Sequence, residues 1–301
     1  MKKFLLKLLA FTFVSLICLY AFLSLISSTR QETLRFPNNE NIVFLGNSHV
    51  ECAINDSIIK NSVNFAKSND NAEIIYCKVK LLKQYNPQLD TVIIGYDNVI
   101  MCQDLAEEYE GVYSPFYYDQ YSLNDLNNLL KYSSFKYISS HFNRPFDVSK
   151  ITIPCKSFFY DSTNIKDMEI FGHYEYLMRD KLQKHIEIES KKEIQKMPFD
   201  SLSVYFLNKT IEFCLDNNIT PILLFTPHQK ESKLDPTYYK EYYQNNYKNI
   251  LFYDFKDLEL NDSCFGDINH LNHKGAKVFS EFLEKEVLHK DNYINKHNSL
   301  N

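Results

Sequence analysis

The sequence predicts an α/β domain built on a parallel β-sheet. Short apolar, β-branched runs alternate along the chain with segments whose apolar residues recur at helical spacing. The chain has 301 residues, of which 45% are hydrophobic, and this is enough for one sizeable core. Strands that alternate with helices pair in parallel and carry helices on both faces of the sheet. In such sheets ligands bind at the carboxyl ends of the strands.

Four strands and three helices follow from these patterns. Each predicted strand is a short apolar run bounded by glycine, proline or polar residues. The strands are NIVFLG (41–46), DTVIIGYD (90–97), ITPILLFTP (219–227) and NILFYDF (249–255). Each predicted helix has apolar residues three or four positions apart, which form one face for packing on the sheet. The helices are AEIIYCKVKLLKQY (72–85), LSVYFLNKTIEFCLDNN (202–218) and HKGAKVFSEFLEKEVL (273–288).

The alternation of strands and helices fails between about 104 and 200. One part of this region is crowded with tyrosine, and another is highly charged and favours helix. We interpret 104–200 as a helical insertion in a single domain of 41–290, packed over one end of the sheet as a cap on a binding cleft. An insertion that only stabilises the fold is the alternative. A C-terminal tail, 291–301, follows the domain.

The N-terminus predicts a membrane helix within 1–28. No charged residue occurs from Leu8 to Ile26, a length that crosses a hydrocarbon core of roughly 30 Å. Three lysines precede this segment, and positive charge favours a cytoplasmic N-terminus. We therefore expect a polar spacer, 29–40, and a domain on the extracytoplasmic (periplasmic) side of a bacterial inner membrane. A cleaved signal peptide is the alternative and would export the same domain, although no clear small-x-small site follows.

Charge and cysteine spacing argue against two kinds of ligand. The net charge of -5, with lysines and acids interspersed, supplies no basic field for nucleic acid. The seven cysteines include no C-x-x-C pair, so we expect no structural zinc. We also expect no cofactor. Cys18 lies in the membrane segment. The other six are open to disulfide formation in an exported domain or, like Cys214 in its apolar run, are small buried residues.

A serine follows the first predicted strand where the apolar run breaks. In NIVFLGNSHVECAIN (41–55), Gly46 ends the run and Ser48 stands just past it. A serine hydroxyl becomes a nucleophile when a base, usually histidine, takes its proton and an acid orients that base. Asp267 and His270 supply such a pair, three residues apart in a predicted loop before the last helix.

These segments resemble the first and last blocks of the SGNH/GDSL-type hydrolases. FLGNSHV (44–50) is similar to the first block, and DINHLNHKGAKVF (267–279) is similar to the last. The resemblance covers about 41–100 and 202–288. It is greatest to membrane-anchored, exported members that handle acyl groups on envelope polymers, such as the teichoic acid D-alanyl transfer and alginate O-acetylation proteins. It implies a three-layer, flavodoxin-like fold around the parallel sheet.

The resemblance also implies a role for each candidate residue. Ser48 would be the nucleophile, His270 the general base and Asp267 the acid that orients the base. The backbone N–H of Ser48 would be one oxyanion donor. Asn69 lies near the place where the family has a second backbone donor, which in the family belongs to a glycine.

The third block departs from the family pattern of Gly-x-Asn-Asp. Here the sequence is GYDN (95–98), so that Asp97 stands where the family has an asparagine side-chain donor. An ionised carboxylate only accepts hydrogen bonds and repels an oxyanion. Asn98 would replace that donor after a shift of one residue. His228 in FTPHQK (225–230) ends a strand at the same edge, and we predict that it contacts substrate.

The predicted activity is that of a serine-dependent ester hydrolase or O-acyltransferase that acts on acyl esters of cell-envelope carbohydrate, with an acyl-donor membrane protein as the expected partner. Two alternatives remain open. In the first, which Asp97 favours, the domain is a catalytically silent glycan-binding or assembly subunit. In the second, a metal ion supports hydrolysis. Its ligands would be Asp267, His270 and His273, together with His49 if the fold brings it near them. If no metal binds, His49 and His273 are surface or supporting residues.

Overall fold

In a computed structural model, the chain forms a parallel sheet with helices on both faces. The structure describes residues 2–102, 117, 120–132, 172–178, 181–192, 199–233 and 237–288. The strands are β1 (Ile42–Leu45), β2 (Ser62–Asn64), β3 (Thr91–Gly95), β4 (Thr220–Phe225) and β5 (Leu251–Asp254). The helices of the described segments are α1 (Lys2–Leu34), α2 (Ser48–Ala53), α3 (Ala72–Tyr85), α4 (Asn98–Cys102), α5 (Leu123–Tyr132), α6 (Leu182–Glu189), α7 (Ser201–Asp216), α8 (Thr237–Asn246) and α9 (His273–Phe282). A 3₁₀ turn (Asp262–Cys264) precedes α9, and a π-helical turn (Leu283–Leu288) extends it.

All five strands run parallel, in the order β2-β1-β3-β4-β5. Val43 of β1 lies opposite Val63 of β2 on one side and Val92 of β3 on the other. After β1 the chain turns toward β2, and after β3 it turns toward β4. A crevice therefore opens where β1 and β3 end, which is the usual ligand position in sheets of this kind. The predicted α/β class with a central parallel sheet is confirmed.

The strands supply apolar residues to two cores. Val43 and Leu45 face one core, which includes residues of α3 and α7. Phe44 faces the opposite core, which includes residues of α2 and α9. This alternation follows from the pleat of a strand, in which successive side chains point to opposite faces. Since each face is apolar, both require a helical layer, and both have one.

The predicted strands and helices outside 104–200 are confirmed to within a few residues. β2 and three helices, α2, α4 and α8, have no counterpart among the predicted elements. α2 and α4 have only six and five residues, too few to show a helical period. β2 has only three residues, two of which are polar, so it shows no alternation. α8 is dominated by tyrosine, asparagine and glutamine and lacks a clear apolar stripe. Much of 104–200 lies outside the described residues, while α5 and α6 belong to its described part.

α1 connects a membrane-compatible segment directly to the domain. The part Lys2–Phe22 is long and apolar enough to cross a membrane. Its apolar window is not buried by the rest of the chain, although Phe22 at its end packs partly against the core. The helix continues to Leu34, which is fully buried. The side chain of Asn86 donates to the Leu34 carbonyl and accepts from the Phe36 N–H, each at 2.7 Å. The predicted spacer, 29–40, thus begins inside α1 and contacts the core.

Replacement of Gly275 by alanine should destabilise the fold. A Cβ at this position in the first turn of α9 would lie 2.1 Å from the carbonyl oxygen of Cys264. Relief of this clash requires a backbone shift, and overpacking of this kind costs about 1–3 kcal/mol. We expect Gly275→Ala to lower the midpoint of urea unfolding, while Lys274→Ala, at an exposed neighbouring position, leaves it unchanged. Equal midpoints in the two variants would contradict the prediction.

Candidate active site

Three of the predicted residues form a hydrogen-bonded chain at the carboxyl edge of the sheet. His270 Nε2 lies 2.8 Å from Ser48 Oγ, and His270 Nδ1 lies 2.8 Å from Asp267 Oδ1. The Asp267 side chain is 5% exposed and that of His270 is 19% exposed, while Ser48 is half-buried. One ring nitrogen therefore faces a carboxylate and the other faces a hydroxyl. In this arrangement a histidine can take the proton of a serine.

A tight loop before α9 orients the Asp267–His270 pair. Besides the imidazole, Asp267 Oδ1 accepts the backbone N–H groups of Asn269 and His270, each at 3.0 Å. The loop is closed by an antiparallel bridge between Phe265 and Leu271. Because the carboxylate is held by its own backbone, it holds the imidazole ring in one orientation. Because the loop is so short, the spacing of three residues between Asp267 and His270 was enough to predict their contact.

Ser48 begins α2, and two residues separate it from the end of β1. Asn47 caps the helix with its side-chain oxygen. The turn is possible because Gly46 and Gly95 have no side chains: a Cβ on either would lie 2.6 Å from Val50 Cγ2. β1, β3 and α2 are therefore in close contact, and Ser48 lies at the carboxyl ends of the two strands.

The loop after β2 brings Asn69 to the same edge. The Lys67 N–H donates to the Gly46 carbonyl at 3.0 Å, and the Ser68 N–H donates to Glu51 Oε2 at 2.7 Å. Asn69 follows with φ +66°, a left-handed conformation that asparagine tolerates. Its own N–H has no hydrogen-bond acceptor among the described residues. An open N–H beside a nucleophile can act as an oxyanion donor.

A buried ion pair supports this loop from behind. Lys78 Nζ contacts Asp70 Oδ2 and also donates to the Phe65 carbonyl at 2.9 Å. The side chain of Lys78 is fully buried and that of Asp70 is 5% exposed. A buried ammonium is tolerated only when it is paired and hydrogen-bonded. The pair therefore ties α3 to the chain on both sides of the Asn69 turn.

The site contains a second histidine–aspartate pair. His49 Nδ1 lies 2.6 Å from Asp97 Oδ2, and both side chains are less than a tenth exposed. Asp97 also accepts the Ile100 N–H at 2.9 Å and the Asn47 side-chain amide at 3.4 Å. Burial alone would raise the pKa of Asp97, but the charge of His49 and its hydrogen bond lower that pKa to about 2. Asp97 is therefore ionised at neutral pH and can only accept hydrogen bonds.

The remaining predicted residues lie in the interior beside this pair. Asn98 is the first residue of α4 and is 1% exposed. His228 is 4% exposed and meets His49 edge to face, with ring centroids 4.6 Å apart. Neither ring nitrogen of His228 has a hydrogen-bond partner among the described residues. Burial, reinforced by the charge of His49, holds the pKa of His228 well below its usual value, so this imidazole is neutral.

His49 is not a surface residue, which corrects one of the two interpretations offered for it. The residue is 6% exposed, and its ring centroid lies 5.1 Å from that of His270. The sequence around Ser48 gives no indication that His49 is buried. The partner, Asp97, follows a different strand, and only the pairing of β1 with β3 brings the two together.

The residues considered for a metal site make other contacts. His270 and His49 have the partners described above. His273 stacks on Tyr176, with ring centroids 4.6 Å apart, and its Nδ1 lies 3.2 Å from the Leu177 carbonyl. Within the described segments, one group of three side chains has potential ligand atoms that all lie within 4.8 Å of one another. These are Glu51, His173 and Glu175.

The described segment 172–178 of the predicted insertion lies against the site. The His173 N–H donates to the Ala66 carbonyl, and the Glu175 N–H donates to the Glu51 carbonyl, each at 3.1 Å. The segment therefore contacts both α2, which carries the serine, and the loop that carries Asn69. That 104–200 forms a cap stays a prediction, since most of the insertion lies outside the described residues.

The chain has no match among protein-family models, curated proteins or solved structures. A hydroxyl, an imidazole and a carboxylate in this order form the nucleophilic serine site that recurs on unrelated folds.

Removal of the Lys78 ammonium should destabilise the protein strongly. Lys78→Met keeps most of the side-chain volume but leaves Asp70 buried without its cation, at a cost of about 3–5 kcal/mol. The double variant Lys78→Met/Asp70→Asn removes both charges and should recover most of this loss. Urea unfolding followed by circular dichroism measures both values. Equal losses in the single and double variants would mean that the unpaired charge is not the cause.

Proposed function

We propose that the protein is a serine-dependent ester hydrolase or O-acyltransferase that acts on acyl esters of cell-envelope carbohydrate. The observation that carries this proposal is the Ser48–His270–Asp267 chain, with 2.8 Å at both hydrogen bonds. The strand order, with the serine directly after β1, is consistent with the flavodoxin-like fold of the SGNH/GDSL-type hydrolases that the sequence resembles.

The reaction begins when Ser48 Oγ attacks the carbonyl carbon of an ester. As this bond forms, the serine proton passes to His270 Nε2, and the carbonyl π electrons move onto the oxygen. Asp267 keeps the ring oriented and stabilises the imidazolium that results. The backbone N–H groups of Ser48 and Asn69 donate to the oxyanion. His270 then gives the proton to the leaving alkoxide, and an acyl-serine remains.

The second half of the reaction releases the acyl group to a second hydroxyl. That hydroxyl gives its proton to His270 and attacks the acyl-serine, and Ser48 regains its proton when its bond to carbon breaks. Water as the attacking group makes the protein an esterase. A sugar hydroxyl makes it an O-acyltransferase, and the half-exposed Ser48 is open to either.

The proposed substrate class follows from location and resemblance. α1 begins with a segment that can cross a membrane, and the lysines before its uncharged part favour a cytoplasmic N-terminus. The domain would then lie on the extracytoplasmic side of a bacterial inner membrane, where envelope glycans carry acyl esters. The expected partner is a membrane protein that supplies acyl groups.

A fluorophosphonate probe tests the nucleophile. Full-length protein in detergent is labelled, and mass spectrometry locates the adduct. We expect an adduct on Ser48 that is lost in Ser48→Ala, and lost or greatly slowed in His270→Ala because the base is missing. His185→Ala, which removes a histidine of α6, should label like the parent protein. A folded parent protein that forms no adduct would contradict the proposal.

A second candidate is a catalytically silent glycan-binding or assembly subunit. The observation that favours it is Asp97, which is ionised and buried at the site and cannot donate to an oxyanion. Binding of an O-acetylated oligosaccharide without any Ser48 adduct would select this candidate. Ester turnover that stops on addition of EDTA would instead select metal-dependent hydrolysis.

We also propose that His228 contacts the substrate: both of its ring nitrogens are buried and lack partners among the described residues, so the contact requires the substrate to displace a side chain that covers them. His228→Phe should raise KM for an O-acetylated oligosaccharide about 2–10-fold, which corresponds to the loss of one hydrogen bond. The rate of fluorophosphonate labelling should change little. His228→Gln, which restores a donor and an acceptor, should recover part of the loss. An unchanged KM in His228→Phe would exclude the contact.

A further inference from the structure

The segment 172–178 meets α2 at a group of three side chains that can bind a metal ion. Glu51 lies in α2, three residues after Ser48, while His173 and Glu175 belong to the segment. Each of the three offers one ligand atom, and these atoms all lie within 4.8 Å of one another. None of the three takes part in the reaction proposed above. The group therefore needs an explanation of its own.

The His173 ring lies between the two glutamates. Its Nε2 is 3.3 Å from Glu175 Oε2, and its Nδ1 is 3.9 Å from Glu51 Oε1. Nitrogen and oxygen ligands at about 2.0–2.2 Å from a tetrahedral Zn²⁺ are about 3.4 Å from one another. The spacing of the group is therefore close to that of a metal site. Rotation of the Glu175 side chain, which is 44% exposed, can close the remaining distance.

The buried side chain of Glu51 is the observation that points to a cation. This side chain is 5% exposed. Its Oε2 accepts the Ser68 N–H at 2.7 Å and contacts Ser68 Oγ, whereas its Oε1 accepts no hydrogen bond from any described residue. Within the described segments, no lysine or arginine forms an ion pair with Glu51 or Glu175. A buried carboxylate oxygen requires a donor or a cation, and Oε1 of Glu51 faces the imidazole side of the group.

We propose that Glu51, His173 and Glu175 bind a divalent transition metal ion, with Zn²⁺ as the ion that their donor atoms favour. An imidazole nitrogen with carboxylate oxygens suits Zn²⁺, whereas Ca²⁺ takes about six to eight oxygen ligands. The exposed fractions of His173 (29%) and Glu175 (44%) leave a path for the ion and room for a water ligand. Cysteine spacing could not indicate this site, because the site contains no thiol.

The ion would fasten the segment 172–178 to α2. Two backbone hydrogen bonds already join them to each other and to the loop after β2: the His173 N–H donates to Ala66 and the Glu175 N–H donates to Glu51. Coordination would add a link between side chains that are far apart in the sequence. The ion would make no bond to the substrate. It would instead determine how firmly the segment lies beside Ser48, and this inference does not depend on the proposed function.

Isothermal titration with Zn²⁺ tests the site. Full-length protein is purified in detergent without a polyhistidine tag and is stripped with EDTA, which is then removed. We expect Zn²⁺ to bind, and Ca²⁺ to bind at least about tenfold more weakly. Glu175→Gln should weaken Zn²⁺ binding at least about tenfold, because it removes a charged ligand. Glu187→Gln, the matched change at an exposed position of α6, should bind Zn²⁺ like the parent protein.

Hydrogen exchange followed by mass spectrometry tests the link to α2. Zn²⁺ should slow amide exchange within 172–178 in the parent protein and in Glu187→Gln, but not in Glu175→Gln. Because Glu175 is partly exposed, Glu175→Gln should keep the Tm of the stripped parent protein. Should this variant not fold, His173→Phe takes its place, with His185→Phe as its control. Exchange within 172–178 that Zn²⁺ leaves unchanged in the parent protein would overturn the proposed link.

Failure of this inference and failure of the proposed function give different results. A folded parent protein that binds no Zn²⁺, or a Zn²⁺ affinity that is unchanged in Glu175→Gln, overturns the metal site. Binding that is lost in His270→Ala but kept in Glu175→Gln places the ion at the serine site and also overturns it. Zn²⁺ binding requires no nucleophile, whereas fluorophosphonate labelling of Ser48 requires no ion at Glu175. The two measurements therefore decide the two proposals separately.

Discussion

The close approach of β1 and β3 at their carboxyl ends is the constraint on which the site depends. Gly46 and Gly95 lie side by side there, and Val50 of α2 fills the space that their side chains would occupy. This apolar contact seats α2 directly on the strand ends. Ser48 and Asp97, which follow different strands, therefore lie at the same edge of the sheet. The polar geometry is therefore set by a contact that contains no polar atom.

Buried carboxylates then hold the loops around this contact. Among the described residues, four buried carboxylates near the site each have a hydrogen-bond or ion-pair partner. They are Asp267, Asp97, Asp70 and Glu51. Asp267 binds the backbone of its own loop as well as His270. Glu51 accepts the N–H of Ser68 and so joins α2 to the loop after β2. Because these groups are already in place, the proposed reaction would need little reorganisation when charge develops.

The parts of the site that are local in sequence were predictable, and the parts that depend on strand pairing were not. Asp267 and His270 are three residues apart, so their contact follows from one loop. Ser48 is marked by the end of an apolar run. By contrast, the His49–Asp97 contact joins residues 48 apart, and the sequence does not reveal which strand ends are neighbours. The edge strand β2 was missed because three residues are too few to show a period.

The continuous helix α1 has a consequence for where the protein can work. About 18 Å of helix separates Phe22 from Leu34, at 1.5 Å per residue. A helix of this kind keeps its length, whereas a flexible linker would let the domain sample a wide range of heights. With its apolar part in a bilayer, the protein can diffuse sideways and rotate but cannot extend outward. Under the proposed function, a polymer would then be modified only while it passes close to the membrane, so that substrate choice would depend on place and time as well as on chemistry.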